Sequence, residues 1–333
     1  MTDKFGALLG GVVWVLATAA CAAGALSDVQ PPEGSPSARA QVWLVSTRHL
    51  PGCVTDQRAQ PQFWRLGADH RWTIAEGAAF AGASSAAVPT VVYIHGNRTD
   101  REDAVAEGLE FCEQLSRLAS GAEFRYVIWS WPADRIRGRN RRDVQTKDAR
   151  SRTEAVYLAR TLAQIPPSSP ISLIGYSFGA QTILGALELL AGGLGEGETM
   201  RPTAGGRWGP IRAVLIAAAV DNTAFRSCDS AHRVLSQVDR LLVTRNACDP
   251  ALRLYPHLYR GRGTPALGFT GPIGLDPNDP DSQKVEVLDV SCAVGKNHGW
   301  VYYRGVRALW ARLPAYTFLQ ADGAPGPKPT STP

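Results

Sequence analysis

Six short apolar runs separated by stretches of helical character constrain this chain more than any other feature. They are Thr90–Ile94 (TVVYI), Phe124–Ser130 (FRYVIWS), Ile171–Ile174, Ile211–Ala219 (IRAVLIAAA), Arg240–Thr244 and Lys284–Val290 (KVEVLDV). Most of these runs lack the polar-apolar alternation of a half-exposed strand, so they read as strands buried on both faces, as in a parallel sheet. Between them the sequence predicts helices: one capped by Thr99 or Asp100 and running to Leu118, one from about Lys147 to Gln164, stopped by Pro166 and Pro167, and one from Phe178 to Ala191; a fourth, Trp300 to Leu313, follows the last run. Repeated strand-helix units imply an α/β fold with a doubly wound, mostly parallel sheet. Ahead of them, Gln41–Ser46, Phe63–Leu66 and Arg71–Ile74 read as an antiparallel N-terminal part, the last two joined through Gly-Ala-Asp in a hairpin.

At 333 residues the chain can bury a large core. Phe5 to Leu26 carries no charge and ends in small residues, so 1–26 is expected to be a signal peptide or membrane anchor. Ala23-Gly24-Ala25 resembles a cleavage site, whereas Cys21 sits in a poor lipobox. The expected organisation is a leader over 1–26, a Pro/Ser/Gly-rich linker over 27–40, one α/β domain over 41–320 and a disordered Pro-rich tail over 321–333; Gly192 to Trp208 reads as a glycine-rich insertion. The expected location is periplasmic, extracellular or membrane-anchored. Removal of the leader leaves Cys53, Cys112, Cys228, Cys248 and Cys292, enough for at most two bridges and a spare thiol. No Cys/His cluster has metal-ligand spacing, and neither metal nor cofactor is expected.

The net charge is +5, and Asp134 to Arg152 alone holds seven Arg and one Lys against three Asp, equal to the whole excess. No nucleic-acid motif or interleaved aromatics accompany this segment, so no nucleic-acid partner is expected. It reads as a solvated loop leading into a helix, with contact to an anionic lipid or an anionic substrate group as the alternative.

The chemistry centres on Ile171 to Ala180, ISLIGYSFGA. A G-x-S-x-G match arises easily by chance in a chain with 33 glycines, and its weight comes from context. Here Ser177 ends a buried strand and starts a helix, whose N-terminal N–H groups suit a developing oxyanion. The stretch resembles the nucleophile elbow of the α/β-hydrolase superfamily.

That resemblance implies further residues. Tyr93-Ile94-His95-Gly96-Asn97 is similar to the family's oxyanion loop, with the Asn97 and Phe178 N–H groups as donors and His95 shaping the loop. The family's base follows the last strand, which implies His298 in Gly-Lys-Asn-His-Gly-Trp; His257 is the alternative. The acid implied is Asp249, after the strand ending at Thr244, with Asp221, after the preceding strand, as the second choice. Together HGNRTD, WSWP (Trp129 to Pro132) and GYSFGA resemble a group of uncharacterised bacterial α/β-hydrolases over roughly Val91 to Trp310. Phe178 departs from the smaller residue common after the nucleophile. With only a short excursion between Ala219 and Arg240, little or no cap domain is expected, and Tyr255 to Asp281 could shade the site. Trp131 and Trp300 read as packing residues. The expected function is a serine hydrolase acting on small-molecule or lipid esters, with possible membrane association through the N-terminal segment. A noncatalytic binding protein on the same fold and an acyltransferase with the same three residues are the alternatives.

Overall fold

The computed structural model describes residues 40–54, 59–83, 88–119, 122–138, 140–192, 208–226, 229–259 and 263–319. The expected leader, most of the linker, the C-terminal tail, Cys228 and nearly all of the Gly192 to Trp208 insertion lie outside them. In chain order the elements are β1 (Ala40–Ser46), β2 (Gln62–Leu66), β3 (Trp72–Ala75), α1 (Gly77–Gly82), β4 (Thr90–Ile94), α2 (Arg101–Leu118), β5 (Phe124–Ser130), α3 (Asn140–Leu162), β6 (Ile171–Tyr176), α4 (Phe178–Leu190), β7 (Ile211–Ile216), α5 (Asp229–Gln237) and β8 (Arg240–Arg245). Shorter pieces follow: α6 (Pro250–Arg253), a 3-10 turn (Tyr255–Tyr259), α7 (Leu267–Thr270), β9 (Val285–Asp289), α8 (Ser291–Val294), α9 (Trp300–Tyr303), α10 (Arg307–Arg312) and α11 (Pro314–Thr317).

The nine strands form one sheet in the order β3-β2-β1-β5-β4-β6-β7-β8-β9. From β1 to β9 every neighbour is parallel, and the antiparallel part is the β1-β2-β3 meander at one edge. Every residue of β4, β5 and β6 is buried, the burial their unbroken apolar runs require. Crossovers between parallel strands are right-handed, so α2, leading from β4 to β5, lies on one face, and α3 and α4, leading the other way, lie on the opposite face.

The helices carry the matching periodicity. Asp100 caps α2 by accepting the Asp103 N–H, and its buried residues fall at Ala104/Val105, Gly108/Leu109, Phe111/Cys112 and Leu115, one stripe of a 3.6-residue period. Helix α3 departs from expectation: it begins at Asn140, seven residues before Lys147, so the arginine-rich stretch is two helical turns as well as a loop. Arginine is a good helix former, and several of these cations are held by neighbours. Arg150 pairs with the buried Glu154 at 2.7 Å and bonds the Thr47 carbonyl; Glu154 also accepts from Thr47 Oγ1 at 2.6 Å and Trp129 Nε1 at 3.1 Å. That cluster fastens α3 to the ends of β1 and β5. The expected last helix is broken into α9 and α10 around Gly305. Among the described residues no helix is long and apolar enough to cross a membrane, and Cys53, Cys112, Cys248 and Cys292 are unbridged.

After β4 the chain moves to β5 on one side and then jumps back across to β6, so β4 and β6 flank the point where the winding reverses. In doubly wound sheets ligands bind beyond the carboxyl ends of the strands at that point. Ile94 is paired with Gly175 there, which brings the loops beginning at His95 and Ser177 side by side.

Candidate active site

Ser177 occupies the one-residue junction between β6 and α4, with φ 54° and ψ −114°. Non-glycine residues adopt such angles at a cost of about 1–3 kcal/mol, which surrounding structure must hold. Three backbone bonds hold it: Ser177 N–H donates to the Ile216 carbonyl at 2.9 Å, and its carbonyl accepts from Ala180 N–H at 3.1 Å and Ala219 N–H at 3.3 Å. The flanking glycines are required by contact. A Cβ on Gly179 would lie 2.3 Å from the Ile94 carbonyl oxygen, and one on Gly175 would lie 2.6 Å from the Gly179 carbonyl carbon.

Ser177 Oγ lies 3.2 Å from His298 Nε2, and His298 Nδ1 lies 2.7 Å from Asp249 Oδ2. The three residues come from the turns after β6, β8 and β9, so the sheet edge aligns them. Asp249 is fully buried, and both carboxylate oxygens are occupied. Oδ1 caps α6 by accepting the Ala251 and Leu252 N–H groups at 2.9 and 3.1 Å. Oδ2 takes His298 and also the Tyr303 hydroxyl at 2.9 Å. Burial, and then the negative charge of Asp249, raise the pKa of that hydroxyl, which stays a proton donor. The imidazole loop is braced separately: Tyr176 donates its hydroxyl to the His298 carbonyl, and Asn246 Nδ2 bonds the Gly295 carbonyl at 3.0 Å. His298 itself is 26% exposed at its side chain, open to a substrate.

Asn97 and Phe178 line the same cavity as Ser177, and among the described residues neither backbone N–H is engaged by another backbone group. Phe178 is the first residue of α4, where N–H groups have no intrahelical partner. His95 lies under this loop, fully buried, accepting the Trp131 N–H at Nε2 (3.2 Å) and bonding the Gly96 carbonyl through Nδ1 (2.9 Å). Burial, with the Arg48 charge second, lowers its pKa to about 3, so it is a neutral strut, not a proton carrier. Arg98, in the left-handed region at φ 63°, continues the loop; its Nε bonds the buried Asp143 at 3.1 Å, and Asp143 also accepts the Ile136 N–H at 3.1 Å.

The cavity beside Ser177 has a volume of about 450 Å³. Val144, Leu252, Tyr255 and Leu258 form apolar wall, and Arg98 and Arg141 stand among the lining residues. Of the segment expected to shade the site, Tyr255 and Leu258 line this cavity.

The structure therefore brings together Ser177, His298 and Asp249, with Asn97 and Phe178 beside them. Asp221 is not among the partners of His298: it forms an isolated bridge with Ala266 and lines a different cavity with Gln181 and Thr223. His257 is exposed on the 3-10 turn. Trp131 and Trp300 are buried packing, Trp131 stacked on His95 and Trp300 against Tyr93, Phe111 and Tyr176. Sequence reasoning missed Tyr303, Tyr176, Asn246 and Asp143. Asp143 alone left a signal, as an acid inside an arginine-rich stretch.

A serine on a strained strand-to-helix turn, followed along the chain by a carboxylate and then a histidine that bridges the two at the carboxyl edge of a doubly wound sheet, defines an α/β hydrolase by fold and arrangement. The chain belongs to the family described as alpha/beta hydrolase of unknown function (DUF900), whose model matches residues 82–259. The matched span contains Asn97, Ser177, Phe178 and Asp249 and ends before His298. No curated protein matches the chain. Among solved structures, acyl-protein thioesterase 2 of Zea mays is similar at 16% identity and TM-score 0.36, over 69% of this chain and 94% of that one.

Proposed function

We propose that the protein is a serine hydrolase of carboxylic esters that works through an acyl-enzyme on Ser177. One observation carries the reading: the continuous hydrogen-bonded line from Ser177 Oγ through both ring nitrogens of His298 to the buried carboxylate of Asp249. A scaffold has no use for a strained serine aimed at an open imidazole.

In this reading Nε2 of His298 takes the serine proton as Oγ adds to the ester carbonyl carbon. The negative charge that develops on the carbonyl oxygen is met by the Asn97 and Phe178 N–H groups and by the N-terminal end of α4. Collapse of the tetrahedral species breaks the carbon-oxygen bond to the alcohol, which leaves with the proton from His298. A water then gives its proton to His298 and adds to the acyl carbon, and the acid departs as Ser177 regains its hydrogen. Asp249 accepts the Nδ1–H, fixing that tautomer and orienting the imidazole for both proton transfers. None of these steps requires a metal or cofactor.

Hydrolysis of short-chain 4-nitrophenyl esters tests this. Activity is expected in the purified protein and loss of at least about three decades in kcat in Ser177→Ala. Equal turnover by wild type and variant would overturn it. The uncharged Phe5–Leu26 run carries the companion proposal of export or anchoring; cell fractionation tests that, and a protein found in the cytosol alone would contradict it.

A further inference from the structure

We infer that the Ser177 cavity selects esters carrying an anionic group, carboxylate or phosphate, on an otherwise hydrocarbon framework, and that Arg141 reads that group. The inference rests on the ester chemistry proposed for Ser177.

The lining is lopsided in charge. Apart from Ser177, His298, two tyrosines and apolar side chains, the cavity meets Arg98, Arg141, Asn97 and Asn140, and no carboxylate side chain lines it among the described residues. Asp249 is fully buried behind His298 with both oxygens occupied, and the buried Asp143 is held by Arg98.

The two guanidiniums differ in what holds them. Arg98 directly follows the oxyanion residue Asn97 and is fixed at three points: its N–H on the Ala133 carbonyl (2.8 Å), its Nε on Asp143 and its Nη2 on Asn140 Oδ1 (3.1 Å). Asp143 offsets its charge, so Arg98 mainly presents fixed donors. Arg141 is exposed and has no acidic partner among the described residues; its one hydrogen bond among them is a long 3.4 Å contact from Nη2 to the Leu258 carbonyl. That bond leans the side chain toward the 3-10 turn on the far wall. Arg137 and Arg142, also exposed and without an acidic partner among the described residues, add to the same positive field.

An uncompensated guanidinium beside an apolar pocket is matched by a ligand with a hydrocarbon body and an anion that can take two parallel N–H bonds. A purely neutral ester would fill the wall of Val144, Leu252 and Leu258 and leave this charge unused. The arginine-rich stretch thereby gains a role: its helical half delivers one cation to the substrate.

Two arms of matched esters test the inference and separate the sources of the anion. One compares the 4-nitrophenyl monoester of glutaric acid with 4-nitrophenyl pentanoate; the other compares a 1-acyl-glycerol 3-phosphate with the same 1-acyl-glycerol. The expected result is a kcat/KM ratio of charged to neutral ester of about tenfold or more in at least one arm at low salt, shrinking as salt rises. In Arg141→Gln that ratio should drop by at least about threefold through KM, while Arg117→Gln, which removes an equal charge on the exposed surface of α2, should leave it unchanged. A preference in one arm only supports the inference and names the source. Parity or a neutral preference in both arms, or a ratio unaltered by Arg141→Gln, overturns it. Neutral esters turned over without charge preference would sink this inference alone. Absence of all turnover together with absence of fluorophosphonate labelling would remove the reading of Ser177 and this inference with it.

Discussion

Tyr303 donates its hydroxyl to the same oxygen of Asp249 that faces Nδ1 of His298, at 2.9 Å against 2.7 Å. The carboxylate is thus held by four donors, two of them backbone groups, and is itself shielded from solvent. A buried carboxylate needs both oxygens satisfied, and these four bonds also fix the face it turns to the imidazole. Removing the hydroxyl in Tyr303→Phe should therefore lower kcat by about 3- to 30-fold and cost about 1–3 kcal/mol of stability, since the bond goes to a charged group. Steady-state kinetics and urea unfolding on the same preparation check both; an unchanged kcat would deny the hydroxyl its place in the arrangement.

Asp249 and Asp221 are separated by the same logic. Asp249→Asn keeps an oxygen able to cap α6 but presents the wrong group to His298, so kcat should fall by about 10³- to 10⁴-fold with the fold intact. Asp221→Asn, placed on another cavity, should stay within a few-fold of wild type. Comparing the two kcat values decides the matter, and a larger loss at Asp221 would reverse the assignment.

His95 makes stability depend on pH. Its folded-state pKa of about 3 lies below the ordinary histidine value of 6.5, so between those values the unfolded chain binds a proton that the folded chain excludes. Its contribution is intact above pH 6.5 and is lost as pH falls, at up to about 1.4 kcal/mol per pH unit. Urea midpoints at pH 7.5 and pH 5 should show a loss of about 2 kcal/mol from this group, absent in His95→Gln. An equal acid sensitivity in both proteins would mean that His95 does not enter the balance.

Gly179→Ala should be among the most damaging single-methyl changes in the chain. The added carbon would sit 2.3 Å from the Ile94 carbonyl oxygen, which is backbone at the end of buried β4, while Gly179 itself is fixed in the first turn of α4. Relief requires moving α4 away from β4, at a cost of about 1–3 kcal/mol or more, together with displacement of Asn97 and Phe178 from each other. Thermal unfolding and kcat should both fall; retention of either at the wild-type value would argue against so tight a turn.

What could be read from the chain follows from how local each feature is. Strands β4 and β5 match their expected limits because apolar runs buried on both faces leave little room for a different reading. The elbow is equally local, since its glycines answer contacts within a few residues and with the neighbouring strand. The start of α3 was not legible: a run of arginines looks solvated until Asp143, Leu258 and Glu154 are known to receive some of it. Neither was the break at Gly305, and of two aspartates that both follow strand ends position favoured Asp249 while leaving Asp221 open. Tyr303 lies 54 residues from Asp249, and only closure of the sheet edge brings the two together. Propensity and spacing carry no record of such a contact.

The nucleophile itself is the most direct test. Purified protein treated with a fluorophosphonate should gain one covalent adduct, mapped by peptide mass spectrometry to Ser177 and missing from Ser177→Ala, with greatly slowed labelling in His298→Ala. An unlabelled protein, or an adduct on any other residue that survives Ser177→Ala, would contradict Ser177 as the nucleophile.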